Sequence, residues 1–237
     1  MSDTDTQFAL ALDQVEFHWG GRDDFGLGVS SFRIRRGERV LLLGESGSGK
    51  STLLSLICGI NAPARGSIRV DGTEMVTMHP AARDRFRAET IGIVFQQFNL
   101  LPYASAVDNI LLPLHFAPER RGRVGDAQNA ALILTDALGL ARDKMASSTA
   151  DRLSVGQQQR VAVGRALIGA PSLIVADEPT SALDAGSQAN FLDLLFAQCS
   201  AAGSTLLMVS HDERLVPRFD RSVRMEDIAT LTREGAA

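Results

Sequence analysis

Apolar positions along the chain fall into short runs broken by glycine, proline and charged turns, and two spacings recur. Val40–Leu43 is an unbroken apolar run, as is LIVA at 173–176, and TLLMV at 205–209 is apolar after its threonine. Runs this short and this continuous predict strands buried on both faces. Val15 to Trp19 alternates weakly, and Ile68 and Val70 flank Arg69 before the turn-forming pair Asp71-Gly72, so strand-like segments come first. Helical spacing enters at Leu53, Ile57 and Ile60, then from Val155 to Ile168, and again around Asn190–Ala197. Strands alternating with helices in this way predict an α/β fold with a mainly parallel sheet covered on both faces.

From about Leu100 to Ser154 the texture changes. Leu132, Asp136 and Leu140, with Ile133 and Ala137, keep helical spacing, while Pro113 and Pro118 break it. This all-helical middle reads as a subdomain inserted into the α/β core. Its charged stretch ERRGR at 119–123 is expected to be a solvated loop, with a phosphate or lipid contact as the alternative. The last residues, TREGAA, are expected to fray.

Composition narrows the classes. With 237 residues, 45% apolar and 22% charged, the chain is an ordinary soluble globular protein, a little long for one compact domain and short for two. Its net charge of −4 lacks the basic excess of a nucleic-acid surface, so no nucleic-acid partner is expected. Cys58 and Cys199 make no disulfide framework. The start, MSDTDTQFAL, is polar and acidic, unlike a signal peptide, and runs such as NILLPLHF are too short to cross a bilayer. A cytosolic location follows, with any membrane role supplied by a partner.

The chemistry begins at 44–52, GESGSGKST. The stretch matches G-x-x-x-x-G-K-[ST] and lies between the strand VLLL and a helical pattern, where such a loop can cradle phosphates. Gly44, Gly47 and Gly49 let the backbone curl so that successive amides point inward. Glu45, Ser46 and Ser48 complete the loop, and Thr52 follows it. Lys50 can reach the β- and γ-phosphates of a nucleotide, and the Ser51 hydroxyl can ligate Mg²⁺. LIVADEPT at 173–180 ends a strand in Asp177 and Glu178, at the carboxyl end where open α/β sheets place ligands. Asp177 suits the Mg²⁺ shell, and Glu178 can orient or deprotonate an attacking water. Acidic helix caps at strand ends are the competing explanation.

A second anion-shaped run, LSVGQQQR at 153–160, lies far from the first. Ser154 followed by Gln157 also fits a plain capping box. The set GESGSGKST, FQQFNLLP, LSVGQQQR, LIVADEPT, SALD and VSHD, in that order, resembles the ATP-binding subunit of an ABC transporter, over about Leu12 to Asp227. The resemblance implies a P-loop NTPase core with an N-terminal antiparallel β part and an inserted α-helical subdomain. It further implies one domain over 1–237, with a core at about 8–97 and 160–230 and the subdomain at about 98–159.

In that family two chains stack head to tail, and each ATP lies between the phosphate loop of one and the signature of the other. Ser154, Gly156 and Gln157 would then close over the nucleotide held by a second copy's Lys50. Gln96 matches the glutamine that touches Mg²⁺ and the water. His211, otherwise explained as a satisfied structural histidine, matches the switch histidine at the γ-phosphate. Asp184 matches the loop that crosses the interface. Trp19, in EFHWGG, falls where the family stacks an aromatic on adenine, although an aromatic beside glycines can be core. Val155 replaces the usual first glycine of LSGGQ, and Gly164 stands where alanine is commoner.

Implied partners are a second copy and a separate transmembrane permease, at the cytoplasmic face of the inner membrane. Phe98, Leu100, Leu101 and Tyr103 are either its dock or internal packing. The phrase IGIVFQQFNLLPYASAVDNILLPL resembles the lipoprotein-release, macrolide-export and cell-division branch. The alternatives are a soluble ABC-type ATPase of DNA repair or translation, which lacks its coiled-coil insertion or second ATPase domain here, and an unrelated P-loop kinase or GTPase, which leaves LSVGQQQR and VSHD without a role.

Overall fold

A computed structural model describes residues 7–19, 24–141, 148–181 and 183–234. The chain enters β1 (Phe8–Trp19), β2 (Asp24–Arg35) and β3 (Arg39–Leu43), then α1 (Lys50–Ile57). β4 (Arg65–Val70), β5 (Thr73–Glu74), α2 (Pro80–Thr90) and β6 (Ile91–Val94) follow. Helices α3 (Ala106–Leu111), α4 (Pro118–Val124), α5 (Ala127–Ala137) and α6 (Val155–Leu167) make the middle. β7 (Leu173–Asp177), α7 (Ala185–Ala202), β8 (Thr205–Ser210), β9 (Arg221–Arg224), α8 (Met225–Ile228) and β10 (Ala229–Glu234) complete it. One sheet is wholly parallel, in the order β6, β7, β8, β3, β9. The other is antiparallel, in the order β10, β2, β1, β4, β5.

The continuous apolar runs are explained by the period of two. In β3, Val40 and Leu42 face the layer shared with the antiparallel sheet and α1, while Leu41 and Leu43 face the helices on the other side. β7 divides likewise into Val175 against Ile174 and Ala176, and β8 into Leu207 and Val209 against Leu206 and Met208. Neither face meets water, so neither can be polar. The outer layer is built by α3, α5, α6 and α7 through Ile110, Ala131, Val161, Val163, Leu192 and Leu195.

β1 changes phase midway. Against β4, Asp13 pairs with Ser67 but Glu16 pairs with Arg65, so Gln14 and Val15 together oppose Gly66. Gln14 adopts φ 50, and Gly66 adopts φ 95. A Cβ on Gly66 would lie 2.2 Å from the Gln14 carbonyl oxygen, so no side chain fits there. The bulge moves the buried face from Leu10 and Leu12 to Val15 and Phe17. Trp19, two residues on, therefore falls on the side of α1.

Two expectations change, and one helix was not anticipated. ERRGR is the helix α4, and Arg120 within it is 1% exposed. Its guanidinium donates to the carbonyls of Ala88, Ala166 and Ile168, and its amide donates to Glu89. A planar fork with five donors can satisfy several helix-end carbonyls at once, so the charge is buried instead of solvated. TREGAA does not fray as a whole: Thr232 to Glu234 pair with Gly26 to Asp24, and Gly235 to Ala237 lie outside the described residues. The strongly polar α2, with only Glu89 buried, carries too little apolar periodicity to be anticipated.

Candidate functional site

The phosphate loop joins β3, an interior strand of the parallel sheet, to α1. Gly49 caps α1 with φ 87 and no side-chain hydrogen bond, and the first turn of the helix holds no acidic residue. Its N-terminal amides thus face an anion site with the positive end of the helix behind them. Lys50 is 9% exposed, and its ammonium donates to the carbonyls of Gly44 and Glu45, each at 2.6 Å. The lysine is satisfied by its own loop.

A cleft of about 900 Å³ opens over this loop. Trp19, Phe25, Glu45, Ser46, Gly47 and Gly49 to Thr52 line one side. Gln96, Asp177, Glu178 and His211 line the other. The Trp19 ring meets Phe17 edge-on at 5.1 Å, and its indole N–H donates to the Thr52 hydroxyl at 3.4 Å. A face of Trp19, 46% exposed, is thereby held toward the cleft. The glycines of EFHWGG, Gly20 and Gly21, lie outside the described residues.

Asp177 and Glu178 leave the end of β7 in different environments. Burial, with Glu178 beside it, pushes the Asp177 carboxyl above the usual carboxylate range, and Lys50 pulls the other way. A cation at that position would relieve the burial. Glu178 adopts φ 46, its amide donates to the Val209 carbonyl at 3.0 Å, and its carboxylate accepts from His211 Nδ1 at 2.9 Å. An ionised carboxylate only accepts, so this contact calls for the ring form that carries a proton on Nδ1. The Glu178 side chain is 12% exposed and that of His211 65%, so the pair spans the cleft wall from inside to outside.

The remaining expected residues lie elsewhere. Gly44 and Ser48 sit beneath the loop, and the buried Ser48 hydroxyl has no partner. Ser154 caps α6 in a full capping box: Gln157 N–H donates to Ser154 Oγ at 3.3 Å and Ser154 N–H donates to Gln157 Oε1 at 2.9 Å. Ser154, Val155 and Gly156 do not line the cleft; Val155 is 53% exposed, and nothing lies within 4 Å of a Cβ built on Gly156. The capping oxygen accepts, which leaves the Ser154 O–H free to donate outward. Asp184 caps α7 through the Ser187 amide, whose hydrogen bond draws its carboxyl below the usual range. Ala182 of SALD lies outside the described residues.

Two supports were not anticipated. Gln159, 2% exposed, donates to the Pro179 carbonyl at 2.6 Å, just beyond Glu178. Phe25 closes the cleft beside Trp19, and its only trace in the sequence is the alternation Phe25, Leu27, Val29.

The family model described as ABC transporter matches residues 27–181. An uncharacterized ABC transporter ATP-binding protein, YbbA of Escherichia coli (strain K12), is 40% identical over 192 residues, 81% of this chain and 82% of that protein. The lipoprotein-releasing system ATP-binding protein LolD of Syntrophotalea carbinolica is 38% identical over 195 residues, 82% of this chain and 84% of that one. Among solved structures, the dimeric post-hydrolysis state of the ATP-binding cassette MJ0796 bound to ADP and Pi is similar with TM-score 0.80 and 31% identity, covering 96% of this chain and 100% of that chain.

Proposed function

The chain belongs to the ABC transporter family as an ATP-binding subunit, and we propose that two copies of it enclose two ATP molecules and drive a separate membrane permease. One observation carries the shared-site reading: the cleft over Lys50 lacks Ser154 and Gly156, which stand at the start of α6, Ser154 exposed and Gly156 half-buried, outside this chain's own cleft. The relative MJ0796 is dimeric with ADP and Pi bound, which supports the same arrangement here.

Within one copy, Trp19 stacks on the adenine. Lys50 exchanges the Gly44 and Glu45 carbonyls for β- and γ-phosphate oxygens, a charge-assisted contact stronger than the one it leaves. Ser51, Gln96 and Asp177 would hold Mg²⁺. One carboxylate, one hydroxyl and one amide beside the phosphates suit an ion that keeps few protein ligands, and the raised Asp177 carboxyl supports a cation there. When bound, that ion offsets phosphate charge. Glu178 aims the attacking water, and His211 holds Glu178 in place and reaches the γ-phosphate. The second copy's Ser154 hydroxyl and first-turn amides complete the phosphate cage. Hydrolysis removes the group held from both sides, and the copies part.

The division into a core at about 8–97 and 160–230 and a helical subdomain at about 98–159 belongs to the same proposal. It would run through α6, whose first turn is proposed to meet the partner and whose remainder packs on β6 of the core and on α3 and α5 of the subdomain. No helix among the described residues is long and apolar enough to cross a membrane. Attachment through the permease, at the cytoplasmic face of the inner membrane, is therefore proposed, with envelope export or remodelling as the work done; the lipoprotein-releasing relative supports that choice.

Glu178→Gln tests the chemistry. It is expected to bind ATP, lose on the order of 10²–10⁴ in turnover and accumulate as a dimer by light scattering with ATP and Mg²⁺. Normal turnover in that variant removes Glu178 from its role.

A further inference from the structure

Two residues after Gln96 the backbone does something costly. Phe98 and Asn99 adopt φ 57 and 49, consecutive left-handed residues neither of which is glycine. Such conformations persist only where the surroundings over-determine them. Local bonds are few: Phe98 N–H donates to the Phe95 carbonyl at 3.0 Å, and Asn99 N–H to the Gln97 carbonyl at 2.6 Å. Farther on, the fully buried Asn109 side chain accepts from Leu101 N–H at 2.8 Å and donates to its carbonyl at 3.1 Å. Between these anchors, the two strained carbonyls both point at one guanidinium.

That guanidinium is Arg165, on α6 and 8% exposed. Nη1 donates to the Asn99 carbonyl at 2.6 Å, and Nη2 donates to the Phe98 carbonyl. Burial lowers its pKa, and no carboxylate among the described residues contributes. A cation buried without an anion is poor material for stability alone.

We propose that Arg165 is a positioning residue for Gln96: by holding the left-handed pair behind it, Arg165 sets how the exposed Gln96 enters the nucleotide cleft. The proposal rests on the reading of Gln96 given above and deepens it. Eleven helical residues, about 16 Å, separate Ser154 from Arg165 along α6. One rigid rod thus joins the end offered to the second copy's nucleotide to the loop facing this copy's own. Tilting α6 at Ser154 moves the anchor of Gln96.

The test uses the full chain. Arg165→Lys keeps the charge but loses the rigid planar fork that holds both carbonyls in one fixed geometry. Trp19 is the only tryptophan, so its fluorescence reads nucleotide binding. Arg165→Lys is expected to bind ATP with unchanged Kd and to lose about tenfold to a hundredfold in kcat. In a Gln96→Ala background the same change is expected to cost little more, because both act through one group. Asn99 is exposed, so the loop can be altered without touching α6. Asn99→Val, which resists a positive φ, is expected to lose turnover as Arg165→Lys does, whereas Asn99→Gly keeps it. Independent, additive losses from Arg165→Lys and Gln96→Ala overturn the proposal, as does wild-type turnover in Asn99→Val. Full turnover in Gln96→Ala alone sinks the role of Gln96 itself, and the proposal with it.

Discussion

Asp177 carries a conflict between folding and function. Its carboxyl is raised by burial and by Glu178, so the folded chain holds that proton to a higher pH than the unfolded chain does. Stability therefore falls as pH rises from the unfolded value through the folded one, and the full cost is present at neutral pH. Asp177→Asn is expected to raise the unfolding midpoint of the nucleotide-free protein at pH 7 without Mg²⁺, by a margin that shrinks toward acid pH, and to abolish Mg²⁺-dependent turnover. Calorimetry across pH, paired with an ATPase assay, checks both halves; a lower midpoint at pH 7 would contradict the electrostatic account. At this scale the sequence was informative where motif spacing brings residues together, as with Lys50, Ser51 and Asp177, which line one cleft. It was silent on Phe25 and Gln159, because an aromatic in a strand and a glutamine in a helix announce neither what they touch nor which way they face.

Among the elements, β1 shows how one extra residue directs a side chain far along the strand. The bulge at Gln14 and Val15 turns Trp19 toward α1, and Gly66 permits it. Gly66→Ala combines a positive-φ penalty with a backbone clash, so a loss of about 2–4 kcal/mol in urea unfolding is expected, together with weaker ATP binding and a shifted Trp19 emission. Unchanged emission would separate Trp19 from the bulge. The resemblance located Trp19, but its facing was not legible, since Gln14 has no sequence signal for a left-handed turn. The strands β3, β7 and β8 were legible because burial on both faces forbids polar residues. ERRGR misled for the opposite reason: charge reads as solvent exposure unless the carbonyls that will receive it are known, and those of Ala166 and Ile168 lie some 46 to 48 residues away.

For the molecule as a whole, the decisive expectation is that no copy works alone. Ser154→Arg places a long cation on the face offered to the second copy. It is expected to remove ATP hydrolysis while ATP binding by the separated monomer, followed by Trp19 fluorescence, stays intact. If binding failed equally, Ser154 would belong to its own chain's pocket and the shared cage would be wrong. The parallel sheet and its covering helices were predictable from spacing, whereas the antiparallel sheet and the proposed shared cage came from the order of six motifs. Periodicity describes one chain, and the proposed second wall of the cleft belongs to another.

The self-contacts of Lys50 also have a chemical consequence. The chain holds two lysines, Lys50 and Lys144. Since the Lys50 ammonium is tied to two carbonyls and largely covered, an acylating reagent should reach it slowly at rest. Peptide mapping of the acyl label would then give a nearly background-free record of how often this amine lets go of its own backbone, the exchange that has to precede any grip on a phosphate.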